Sequence, residues 1–164
     1  AMDSPNSLHV MPAGQFQPHS FKDVNLRREF SIANNIWREF AEEMQGVAFA
    51  SEVVNSPRDL IKTHPRIAPF VSAFDAGRVS MSYMGIGFDA VTTKPCVLTA
   101  LVIDGRAVPD ELLDFLPSEE GEPVAVELDQ LPDWVEGEPK VILDGQACLK
   151  LANKHLELLL APFR

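Results

Sequence analysis

"RVSMSYMGIGFDAVTTKPCVLTALVID", Arg78 to Asp104, holds the two segments that separate this chain from an all-helical protein. At its start Val79, Met81 and Tyr83 alternate with Ser80 and Ser82, the two-residue period of a half-buried strand. Its end, Cys96 to Asp104, is a continuous apolar run that is too short for a typical buried helix, contains β-branched residues, and is bounded by Pro95 and the Asp104-Gly105 turn. These features predict a central strand. Gly85 and Gly87 lie between the two segments. A lone Gly-x-Gly, with no third glycine and no lysine after it, reads as a turn or bulge rather than a phosphate cradle.

Toward the N-terminus the period changes to that of a helix. Leu26, Phe30, Ala33, Trp37, Phe40 and Met44 form one stripe, with Asp23 or Asn25 as the expected cap and Gly46 at the left-handed closing position. "NSPRDLIKTHP" predicts a short helix with Ser56 at the N-cap, stopped by Pro65. Ile67, Phe70, Val71 and Phe74 predict another, starting near Ala68 because Pro69 cannot sit inside a helix, and ending at Gly77.

Toward the C-terminus "VPDELLDFLP" predicts two helical turns between Pro109 and Pro117, and "PVAVEL" and "KVIL" predict short strands, the first demoted to an edge by Pro123. A last helix is expected from Gly145 to about Ala161, capped by Asp144, with a stripe of Leu149, Ala152, Leu156 and Leu159. This order has no regular βαβ alternation. The expected fold is α+β: a mostly antiparallel sheet of about four strands with helices packed on one face. A chain of 164 residues suits one core, so residues 21–164 read as a single domain. Residues 1–20, rich in Pro, Ser, Gln and Gly, read as a flexible N-terminal arm, with residues 1–10 as an addition ahead of a native start at Met11.

The formal charge of −10 is unevenly spread. Residues 1–103 hold ten carboxylates and nine Lys plus Arg, whereas residues 104–164 hold fourteen and five. From Ala107 to Pro139 there are eleven carboxylates and no Lys or Arg. This balance argues against a nucleic-acid partner, because phosphate affinity rests on clustered Lys and Arg. No stretch reaches the roughly 18 apolar residues of a membrane span, and the N-terminus lacks the basic and apolar regions of a secretory signal. Cys96 and Cys148, each in an apolar run, suit a reducing compartment, and the expected location is cytoplasmic.

Two readings of the acidic stretch stand open. Charges on solvated loops keep a protein soluble and stop an edge strand from pairing with neighbours. Alternatively the stretch docks a basic protein, with Glu119, Glu120, Glu122, Asp133, Trp134, Glu136 and Glu138 as the contact residues and Trp134 as an aromatic anchor among acids. Catalytic carboxylates need differing, partly desolvated environments, which loops of Pro, Gly and Ser do not supply. "SEEGEP" lacks the spacing of a calcium loop, and His9, His19, His64 and His155 are too scattered to form a ligand pattern.

The favoured expectation is therefore a non-catalytic protein-binding domain of the immunity, chaperone or adaptor type, without cofactor or metal, engaging a basic protein partner. One alternative is a small enzyme assembled from distant residues, for instance His64 or His155 with Tyr83 and a carboxylate. Another is a subunit of a homo-oligomer that uses Trp37, Phe40 or the last helix, whose Leu156, Leu158, Leu159 and Leu160 surround much of its circumference and could form a homodimer contact.

Overall fold

The computed structural model describes residues 8–14, 16, 30–47, 63–89, 93–117, 122–136 and 141–164. Along the chain run α1 (Ile32–Glu39), continued by a π-type turn over Phe40–Met44, α2 (Ala68–Asp75), β1 (Val79–Asp89), β2 (Lys94–Ile103) and a 3-10 turn (Gly105–Ala107). These are followed by α3 (Asp110–Leu113), a 3-10 turn (Leu128–Gln130), α4 (Leu131–Glu136), α5 (Leu143–Lys154), α6 (Leu156–Leu160) and a last 3-10 turn (Ala161–Phe163). The chain gathers into two compact units: a helical unit of Met11–Val79 and Asp104–Pro123, and a sheet unit of Ala1–Val10, Ser80–Ile103 and Val124–Arg164.

In the helical unit Ser31 caps α1 by accepting from the Asn34 amide at 3.4 Å. Phe30 stands 82% exposed ahead of that cap, so the apolar stripe enters the core only at Trp37. The expected caps Asp23 and Asn25 fall outside the described residues, as does the helix expected at Ser56. Phe40 is the hub of the core, edge-on to Trp37, Phe70 and Phe115 with ring centroids 5.8, 4.9 and 6.1 Å away. The π turn widens the closure of this helix. The Val47 amide reaches back to the Ala41 carbonyl at 2.9 Å, one residue further than the usual six-residue closure, while Gly46 takes the left-handed φ of +61°. Helix α2 starts at Ala68 with Pro69 in its first turn and closes at Gly77, φ +71°.

In the sheet unit β1 and β2 pair as an antiparallel hairpin, and α5 and α6 pack against β2. The exposed positions of β1 step from Tyr83 to Ile86 by three rather than two, with Gly85 at φ +148° between them. The strand changes phase there as at a bulge.

The mixed helix and sheet architecture is the one the sequence predicts, but among the described residues the sheet has two strands, not about four. In "PVAVEL" residues 123–127 form no regular element and Leu128 opens a 3-10 turn, no strand among the described residues pairs with it, and Val124 is 59% exposed: alternation over so few residues forms a strand only where a neighbour supplies the ladder. "KVIL" supplies a single parallel bridge, Val141 to Leu8, before Leu143 opens α5. Helix α5 therefore starts two residues earlier than Asp144 capping implies. The Asp144 carboxylate instead accepts from the Gly145 amide at 2.9 Å inside the first turn, and the helix breaks at His155. The two turns predicted at "VPDELLDFLP" are one turn, α3, with Pro109 at the cap.

Candidate acidic docking site

The carboxylates sort into two classes by burial. Glu39, Glu43 and Asp104 are buried in the helical unit, and each has defined partners. Arg38 binds Glu39, reaches Glu42 at 3.6 Å and donates to the Asn35 side-chain oxygen at 2.9 Å. The Ala13 amide donates to Glu43 Oε2 at 2.8 Å. Asp104 receives Arg106 in a fork, Nε to Oδ1 at 2.9 Å and an outer nitrogen to Oδ2 at 3.0 Å, together with the Arg106 amide at 3.1 Å and the Arg78 guanidinium. The Arg106 hydrogen bond holds its pKa down to about 2 against the opposing effect of burial. These acids serve the fold.

The second class faces water. On the sheet unit, Asp129, Asp133 and Glu136, spaced four and three apart, share one side of the helical stretch formed by the 3-10 turn and α4. All three are exposed, as is Glu127 just before them. Helix α4 stands because Val135 is buried and the helix packs against α5, which turns its polar side outward. On the helical unit, Asp110, Glu111 and Asp114 of the α3 segment line an open recess with Leu113, while Leu112 points into the core. None of these exposed acids enters an ion pair among the described residues. No group of three or more His, Cys, Asp or Glu among those residues could hold a metal ion.

Of the contact residues expected from the sequence, Asp133, Trp134 and Glu136 lie together on α4, with Trp134 half-buried on a helix instead of held in a loop. Glu122 is exposed in the helical unit, so it and the α4 residues belong to different units. Glu119, Glu120 and Glu138 fall outside the described residues. Asp129 and Glu127, exposed beside the α4 residues, were not among the residues expected. The signal for Asp129 was available in the four-three spacing of Asp129, Asp133 and Glu136, once Pro132 is read as a first-turn residue of a helix.

His64 and His155, named for an enzyme, both sit at helix ends. The His64 carbonyl accepts from the Ile67 and Ala68 amides at 2.9 and 2.8 Å, and its Nδ1 accepts from the Arg66 amide at 3.3 Å, which organises the entry to α2. His155 forms the joint between α5 and α6. Tyr83 is exposed on β1. Cys96 and Cys148 are half-buried free thiols. No helix among the described residues is long and apolar enough to cross a membrane. No protein-family model, curated protein or solved structure matches the chain.

Proposed function

We propose that this protein is a non-catalytic binding domain, of the immunity, chaperone or adaptor kind, that engages a basic protein partner through its acidic surface. The observation that carries this reading is the row Asp129, Asp133 and Glu136: three carboxylates on one side of a helical stretch, exposed, with no cation within a sequence window of eleven acids. Such a row presents a spaced set of acceptors to lysine and arginine side chains. Its long-range field raises the rate of encounter with a positively charged surface and disfavours acidic competitors. The half-buried Trp134 on the same helix offers an aromatic flank for the stem of an arginine or lysine.

The test is affinity capture at low and at high salt with wild type and with the combined Asp129→Asn, Asp133→Asn and Glu136→Gln variant. A basic protein held by wild type, released by salt and lost with the variant supports the reading. Equal capture by both proteins at both salt levels removes it.

A further inference from the structure

The covered face of the hairpin carries a thiol. A Cβ on Gly87 would contact Leu98 Cδ1 at 3.6 Å and Cys96 Cβ at 3.9 Å, which puts Cys96 on the same face as Leu98. Leu98 is buried, Cys96 is half-buried and Val97 between them is exposed, the alternation of a strand with one side packed. Helices α5 and α6 pack against β2 and cover that side.

The covering helix carries the second thiol. Cys148 lies half-buried in α5, and its sulfur accepts a hydrogen bond from the backbone of Thr99, the residue that follows Leu98 on β2. Burial above all pushes the Cys148 thiol up, and the charges of Asp144 and Cys96 add to it, which places Cys96 in the surroundings of Cys148. The Cys96 thiol donates to the Lys94 carbonyl at a long 3.9 Å, a contact weak enough to give up. Both cysteines are reduced thiols, far apart in sequence, and both belong to the sheet unit.

We infer that Cys96 and Cys148 form a redox pair that a peroxide closes into a disulfide, stapling α5 to β2. The Cys96 thiolate attacks a peroxide oxygen: an S–O bond forms, the O–O bond breaks, and the remaining oxygen leaves with a proton as water or an alcohol. The Cys148 sulfur then attacks the sulfenic sulfur of Cys96. The S–S bond forms, the S–O bond breaks, and the departing hydroxide takes the Cys148 thiol proton to become water. The two thiols give up two electrons and the peroxide receives them, while a dithiol reductant reverses the closure by exchange. Cys148, kept protonated by burial, suits the second step rather than the first. In a reducing compartment the pair rests as two thiols, the setting in which transient disulfides act as sensors. Neither cysteine belongs to the acidic row, so the pair acts whether or not that row binds a partner.

The test treats the reduced full chain with hydrogen peroxide, at a dilution that suppresses links between copies, then unfolds it with an alkylating reagent present and reads the peptides by mass spectrometry. The expected product is a chain lighter by two hydrogens, with a Cys96–Cys148 linked peptide and no alkylated cysteine. Dithiothreitol should restore both thiols, and the linked chain should have a higher urea midpoint than the reduced one, because the link restricts the unfolded state. In Cys148→Ser the Cys96 sulfenic acid has no thiol to condense with, so dimedone should label Cys96 roughly tenfold more than in wild type. Two alkylatable thiols after peroxide, separate oxidation of each cysteine to sulfinic acid, or links between chains in place of one within the chain overturn the proposal. So does a linked chain with a lower urea midpoint than the reduced one, since α5 and β2 would then hold the β-carbons outside the roughly 3.5–4.5 Å span of a disulfide. Dimedone labelling that is equal in Cys148→Ser and wild type overturns it as well.

Discussion

Asp104 shows how one buried acid can be spent on the fold rather than on chemistry. The Arg106 fork, the Arg106 amide and Arg78 hold its pKa at about 2, below the ordinary 3.8. A carboxyl whose pKa is lower folded than unfolded stabilises the protein fully above the unfolded value and loses that contribution as pH falls through the folded one. Urea midpoints should therefore decline from about pH 4 toward pH 2 in wild type, and less steeply over that window in Asp104→Asn, which starts from a lower midpoint at neutral pH. Cys148 is governed by burial, which pushes its thiol up despite a hydrogen bond from the Thr99 backbone. Its alkylation at neutral pH should be slower than that of free cysteine and should rise steadily into the alkaline range, a contrast that mass spectrometry of the modified peptide reads directly. Neither effect was legible in the sequence. Asp104 reads there as a turn residue: Arg106 lies only two positions on, but Arg78 reaches the carboxylate only through the intervening hairpin.

At the scale of elements, the sequence patterns are most reliable where a whole stripe is buried. The Trp37, Phe40, Met44 stripe and the Ala68 start of α2 match the structure because apolar periodicity and proline restriction act locally. Phe40 touches three aromatic rings, so Phe40→Ala should cost about 3–5 kcal/mol in chemical denaturation. Gly46 holds φ +61°, where a β-carbon is strained, and Gly46→Ala should cost about 1 kcal/mol by the same measurement. Gln45 is fully buried and its Nε2 donates to the Leu112 carbonyl at 2.9 Å, tying α1 to α3. "PVAVEL" and "KVIL" misled because a strand is a property of a pair. Their apolar residues satisfy the period, yet no neighbouring strand among the described residues offers Val124 a ladder or a covered face.

At the scale of the whole molecule, the apolar core and the acid excess are assigned to different tasks, and substitution should separate them. Phe40→Ala should raise amide hydrogen exchange in the helical unit more than in the β1–β2 ladder, because Phe40 and its ring partners all belong to the helical unit. The combined Asp129→Asn, Asp133→Asn and Glu136→Gln variant should keep the wild-type unfolding free energy within about 0.5 kcal/mol in urea titration, since exposed acids without ion partners among the described residues contribute little to folding. The sequence by itself determined the mixed α and β character, the helical stripes, the two long strands and the sign and concentration of charge, because period, proline geometry and composition act over a few residues at a time. Only the tertiary structure decided which acids are buried and which face water, that Arg78 reaches Asp104, and that Val135 is buried where α4 packs against α5. Those outcomes depend on which surfaces meet after the chain folds back on itself, and contacts between residues dozens of positions apart leave no local period to read.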